Sequence, residues 1–230
     1  MLRLHPAVAV AALALALSGC GADGAPAVSA AREAGAVQAP ALSPSPPSPP
    51  SPPSPVPVVQ TGDGRLEVAP GTSARAGEGV LTTYVVQVEG GLGVEPGAFA
   101  AEVEETLGDS RSWAARRAVQ RIDDEDEADL RVVLASPDLT DQLCAPLDTG
   151  GYFSCANGAI AVLNVARWLR GAPSYEGALE DYRAYVVNHE VGHTLGLGHA
   201  DCPGRGQVAP VMLQQTKGLE GCVRGPWPYP

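Results

Sequence analysis

The stretch His189-Glu190-Val191-Gly192-His193-Thr194-Leu195-Gly196-Leu197-Gly198-His199 holds three imidazoles and a carboxylate at spacings that suit metal chemistry. Residues four apart on a helix share one face about one turn apart, so His189 and His193 can present their rings to a single ion. Glu190 follows the first of them and can lean toward a water on that ion. Gly196 can adopt a positive φ, which lets the helix stop and the chain turn back. His199, three residues on, then supplies a third ligand. Three protein ligands with a fourth position left to water describe a catalytic zinc centre, whereas structural zinc is usually closed by four. The expected chemistry is hydrolysis: one Zn2+ polarises a carbonyl and lowers the pKa of its water, and Glu190 serves as general base.

A bare H-E-x-x-H is only suggestive; the extended form and its surroundings sharpen it. The chain has four histidines, and His5 falls in an N-terminal export signal, so every other one belongs to the motif. Cys202 is the one nearby residue able to close a structural site, and it is assigned to a disulfide instead.

The long motif resembles that of the metzincin clan of zinc peptidases, which carry a methionine turn beneath the metal. Met212, in Ala209-Pro210-Val211-Met212, is the only methionine besides Met1 and lies thirteen residues past His199. It matches that turn. Nearly all of residues 80–230 is similar to an exported, metzincin-like Gram-positive family known as a domain of unknown function. The matching strings are Val162-Leu163-Asn164 with Arg167-Trp168, then Tyr182-Arg183 and Tyr185-Val186-Val187-Asn188 leading into the motif. After it come Cys202-Pro203-Gly204, the Met212 turn with Gln214-Gln215-Thr216, and Gly221-Cys222 before Pro226-Trp227-Pro228. The resemblance implies a mixed sheet packed on an active-site helix, with a small C-terminal subdomain after the third histidine. It also implies an edge strand that binds an extended peptide antiparallel, for which Ala159 to Leu163 is the candidate. One position departs: some metzincins place a metal-assisting tyrosine two residues after the turn methionine, where this chain has Gln214. Trp168, Trp227 and Tyr229 are candidates to line a cleft, although aromatics more often pack cores or lids.

The elements that must position these residues are legible in part. Leu81 to Val88 is rich in β-branched residues and reads as a strand. Pro96 to Leu107 reads as a helix, with proline at its first turn and Phe99, Val103 and Leu107 at helical spacing. Leu130 to Leu134 and Ala159 to Leu163 read as further strands, and a long helix runs from about Gly177 to Leu195. This order predicts an α/β (α+β) fold in one domain, residues 80–230.

The remainder is read as a leader and a tether. Residues 1–19 combine Arg3 with an apolar run, Ala7 to Leu17, too short to span a bilayer. Leu17-Ser18-Gly19-Cys20 resembles the lipobox of bacterial lipoproteins, which implies cleavage before Cys20, acylation of its thiol and anchoring on the outer face of the cell membrane. Plain secretion is the alternative. Residues 20–79 lack hydrophobic periodicity and carry a Ser-Pro-Pro repeat, which reads as an extended polyproline spacer. Setting Cys20 aside, Cys144, Cys155, Cys202 and Cys222 make an even number outside the cytoplasm, hence two disulfides. Three pairings are possible, and the sequence-local one, Cys144–Cys155 with Cys202–Cys222, is favoured.

Charge narrows the partners. A formal charge of −11 provides no basic stripe for nucleic acid and no patch for anionic lipid, so the membrane is met only through Cys20. Asp123 to Asp129 packs six carboxylates into seven residues, but without EF-hand spacing it reads as a solvated loop before a strand. The expected function is zinc-dependent hydrolysis of peptide bonds in extracellular or cell-wall-associated substrates, by a monomer. The alternatives are a catalytically inactive zinc-containing surface lipoprotein that binds partners, which the intact Glu190 disfavours, and a solute-binding lipoprotein.

Overall fold

A computed structural model describes residues 56–230. The signal, Cys20 and most of the Ser-Pro-Pro repeat lie outside the described residues. No helix among the described residues is long and apolar enough to cross a membrane.

The sheet grows around β2 (Leu81–Glu89) and β4 (Leu130–Ala135), which pair in parallel from Tyr84 opposite Leu130 to Val88 opposite Leu134. Both are buried on two faces, which is why they read as runs of Val and Leu rather than as an alternating pattern. Two short strands share the other side of β2. β1 (Leu66–Val68) lies antiparallel along its C-terminal half, and β3 (Ala118–Arg121) lies parallel along its N-terminal half. Beyond β4 come β6 (Ile160–Asn164), parallel, and then β5 (Cys155–Asn157), antiparallel. The sheet is therefore mixed and open, with order β1-β2-β4-β6-β5.

Helices cover both faces. α1 (Pro96–Gly108), with Pro96 in its first turn, packs Phe99, Val103 and Leu107 onto the face that carries Tyr84, Val86, Val132 and Leu163. α4 (Leu179–Thr194) lies on the same face and is tied to α1 by Arg183, whose guanidinium meets Glu102 at 2.9 Å. On the opposite face α2 (Pro137–Cys144) helps cover Val133, Ala135 and Val162, with the Cys144–Cys155 disulfide in that cluster. α3 (Val165–Arg170) follows β6 directly: Asn164 ends the strand, and its side chain accepts the Ala166 amide hydrogen as helix cap. Residues after His199 form loops with their own small cluster of Ala209, Leu213 and Cys222, stapled by Cys202–Cys222. Both sequence-local disulfides are thus formed, and the fold class is as expected.

Two expectations are corrected. The spacer drawn to residue 79 ends earlier, because β1 pairs with β2, Ala69 is fully buried, and Arg170 donates to the Val56 carbonyl. The three residues of β1 are too few for periodicity to reveal them. The candidate edge strand is also misplaced. β6, which holds the predicted Ala159 to Leu163 run apart from its first residue, is flanked by β4 and β5, so the edge falls to β5. The acidic run 123–129 is an exposed loop before β4, with Glu125 paired to Arg131 at 3.2 Å.

Candidate metal centre

α4 carries the first two ligands on one face. Its surroundings explain why it is not amphipathic: from Ala184 to Gly192 every residue is buried, enclosed by the sheet, α1 and the C-terminal loops. The helix ends where the motif's glycine allows. Gly196 takes φ +87°, its amide donates to the His193 carbonyl at 2.9 Å, and the Leu197 amide donates to the Gly192 carbonyl at 3.0 Å. This paired-bond cap requires a left-handed residue at that position. It also orients a ligand, because His193 Nδ1 donates to the Leu197 carbonyl at 2.8 Å. His189 Nδ1 likewise donates to the Val211 carbonyl at 2.8 Å. Each bond fixes the tautomer with the lone pair on Nε2, as a metal ligand needs.

The Nε2 atom of His193 lies 3.2 Å from that of His189 and 3.1 Å from that of His199, and the three ligand atoms all fall within 4.8 Å of one another. Three imidazole nitrogens this close suit one divalent ion. Cys202, the only candidate fourth ligand, is bound to Cys222. The donor set is therefore three nitrogens with an open side. That side faces a cavity of about 320 Å³, walled by α4, the loop from Leu147 into β5, and residues 214–217.

Glu190 lines this cavity and is only 5% exposed, and among the described residues no protein donor reaches its carboxylate. Burial alone pushes that carboxyl from its ordinary 4.5 up to about 8. Burial likewise carries the His189 imidazole from 6.5 down to about 3, a drop opposed by its bond to Val211 and furthered by His193 and His199. His199 is also held below its ordinary value, by burial first and then by the charges of His193 and Lys217.

These shifts predict how the metal-free protein responds to pH. Between pH 4.5 and 8 the unfolded chain releases the Glu190 proton that the folded chain keeps, so stability falls as pH rises. Between pH 6.5 and 3 the unfolded chain takes up a proton that folded His189 refuses, so stability falls as pH drops. The Glu190 and His189 slopes cancel from 4.5 to 6.5, and His199, also depressed, adds a fall toward acid below 6.5. From pH 6.5 to pH 8 the loss should reach about 2 kcal/mol, or about 4–8 °C in melting temperature. Thermal melts of chelator-treated protein at pH 6.5 and 8 check this; Glu190→Gln should flatten the alkaline fall.

The remaining expected site residues sort cleanly. Met212 is buried beneath α4, and a Cβ added to Gly192 would come within 2.5 Å of its sulfur and 2.9 Å of the Trp113 ring. Trp168 is core, edge-on to Phe99 at 4.8 Å, while Tyr229 packs edge-on against Trp113 at 6.0 Å. Trp227 lies under the Arg111 guanidinium at 4.0 Å. None of these three aromatics lines the cavity. Gln214 does line it.

Several positioning residues escaped the sequence reading. Gly192 has no side chain because Met212 and Trp113 close in on the helix there, and an interior helical glycine is the signal that could have marked it. Asn188 is fully buried: it accepts from Ser112 Oγ at 2.6 Å, donates to the Pro226 carbonyl at 3.1 Å, and offers its own carbonyl to Trp113 Nε1 at 3.1 Å. Gln215, also fully buried, joins the Met212 segment to the C-terminal strip through four side-chain bonds. Both stand in the strings that carry the family likeness, yet nothing local in the sequence reveals what they hold.

No curated protein and no solved structure matches the chain. Residues 52–224, about three quarters of its length and including all three histidines, match the family described as Protein of unknown function (DUF3152), and the chain belongs to that family.

Proposed function

We propose that this protein is a zinc-dependent metalloendopeptidase of metzincin type, acting on extracellular or cell-wall-associated peptides from the outer face of the cell membrane. The observation that carries the reading is Glu190: a buried carboxylate without a protein donor, opening onto the cavity where three histidine nitrogens converge. A purely structural metal has no use for such a group, which costs free energy to bury. Met212 beneath the helix at Gly192 supports the metzincin likeness. Two disulfides support an oxidising compartment, hence export, with Cys20 as the lipid anchor.

A zinc ion held by His189, His193 and His199 supplies Lewis acidity and makes water nucleophilic near neutral pH. The chain's own residues do the rest. Glu190, raised in basicity by burial, takes the proton of the attacking water and returns it to the leaving amine. The peptide lies along β5, whose outer edge is unpaired among the described residues and whose Cys155 and Ala156 line the cavity.

Glu190→Gln is expected to lower peptide hydrolysis by about 10²–10⁴-fold while leaving one zinc per chain. The assay is turnover of a peptide library by zinc-loaded protein, beside metal content by mass spectrometry. Equal turnover by the variant would remove Glu190 as the base. Metal without hydrolysis in the unaltered protein would favour an inactive surface-binding protein.

A further inference from the structure

The geometry points to Lys217 as a carboxylate-binding group: the substrate carries a carboxylate close to the bond it presents to the metal centre. This rests on the peptidase reading and narrows its substrate class.

Lys217 is the only lysine in a chain whose other basic side chains are all arginine. It stands in the wall of the cavity that holds His189, Glu190, His193 and His199. Its place is set by the backbone. The Lys217 amide donates to the Gln214 carbonyl at 2.9 Å in a turn, and the neighbouring Gln215 is fully buried and bonded on both sides.

The ammonium has an unfinished set of partners. All five ion pairs among the described residues use arginine, so no carboxylate there comes within 4.0 Å of its nitrogen. What it meets is neutral: Gln214 Oε1 at 3.3 Å and the face of Phe153, 5.3 Å from the ring centre. A lysine ammonium has three donors, and those contacts engage one of them and the ring. Two carboxylates share the cavity without pairing to it: Glu190, and Asp148, which accepts the Gly150 amide at 2.9 Å. In a protein of formal charge −11, a lone cation facing the reaction site through neutral contacts is arranged for an incoming anion. Lys217 is exposed, and Phe153 and Gln214 contact its ammonium without neutralising it. A carboxylate arriving there completes a charge-assisted hydrogen bond, which is worth more than a neutral one.

Two sources offer that chemistry: an aspartate or glutamate side chain flanking the scissile bond, or the free C-terminus of a short peptide. The test uses the zinc-loaded whole protein carrying Glu190→Gln, so that peptides bind without being cut. Matched twins are titrated by fluorescence anisotropy, Asp against Asn inside the peptide and free acid against amide at its end. The preferred carboxylate should bind on the order of tenfold tighter than its neutral twin, and the pair that shows the difference identifies the source. Lys217→Met should abolish the preference, Lys217→Glu should invert it, and Lys217→Arg should keep it. Twins that bind equally to the lysine-bearing protein, or peptides that fail to bind while zinc is retained, overturn the inference and leave the metal centre standing. Loss of zinc under the same conditions fells the peptidase reading itself, and the inference with it.

Discussion

His193→Ala should leave the protein folded but unable to hold its metal, and with it should go all hydrolysis. His193 is the middle of the cluster: its Nε2 lies 3.2 Å from one partner nitrogen and 3.1 Å from the other. Removing it leaves two nitrogens on opposite sides of a gap, with a coordination number too low for zinc to prefer the site over water and buffer. Loss of a supporting partner to a metal-bound histidine typically costs about 10–100-fold in affinity, so loss of a ligand should exceed that. The fold should survive because His193 is half-exposed and makes one backbone bond, to Leu197, at the last turn of α4. The measurement is a pair of melting curves with and without zinc. For the unaltered protein, free zinc at a hundredfold excess over Kd stabilises by about 2.7 kcal/mol, a rise of about 5–11 °C. The variant should show no rise while melting, metal-free, close to its parent. A variant that still gains the full increment would mean that the ion binds elsewhere.

How far the sequence reached is set by the range of each interaction. The histidine cluster was legible because the motif is an eleven-residue device that needs only helix periodicity and one glycine, and Gly196 does sit at positive φ. β2, β4 and α1 were legible because their runs of β-branched or periodic apolar residues are long enough to count. β1 and β5 span three residues each, and strands that short take their identity from a neighbour rather than from their own pattern. For the same reason the sheet edge lies one strand further out than the run Ala159 to Leu163 suggests: which strand ends a sheet depends on pairing across the fold. α2 could have been found from its own start signal. Ser136-Pro137 places a capping hydroxyl, which accepts the Leu139 amide hydrogen at 3.2 Å, before a proline in the first turn. The supporting residues of the centre lay beyond reach. Nothing local says that Gly192 must stay small for Met212, or that Gln215 rather than Gln214 is the buried member of the pair.

That last distinction carries a large effect. Gln215 Oε1 accepts from the Tyr175 hydroxyl at 2.8 Å and from the Gly225 amide at 3.1 Å, while its Nε2 donates to the Pro210 carbonyl at 3.1 Å and the Gly225 carbonyl at 2.7 Å. Its own amide donates to the Tyr185 hydroxyl at 2.9 Å, and that hydroxyl in turn donates to the Leu213 carbonyl at 3.1 Å. The side chain is thus saturated, and it ties Pro210 to Tyr175 and to Gly225 of the C-terminal strip, while the backbone amide makes the link to α4. In Gln215→Ala the Tyr175 hydroxyl, the Gly225 amide and the Gly225 carbonyl lose their partner, while the Pro210 carbonyl keeps the Leu213 amide at 2.9 Å; each buried orphan costs about 1–3 kcal/mol unless water enters. A net loss of at least about 3 kcal/mol is expected, or about 6–12 °C in melting temperature. The same clamp holds Val211, whose carbonyl takes the Nδ1 hydrogen of His189, and Met212, whose sulfur rests on Gly192. Zinc affinity should therefore fall by about 10–100-fold although no ligand has changed. Gln215→Glu keeps the shape but removes the two donors and turns a carboxylate toward two carbonyls, so it should not rescue. Gln214→Ala, one residue away on the cavity wall, should melt within about 2 °C of the parent, as substitutions outside the buried network cost little. A Gln215→Ala protein that matches the parent in both melting and zinc affinity would show that the disulfide Cys202–Cys222 alone secures the segment; a protein that melts early yet binds zinc normally would separate the clamp from the metal centre.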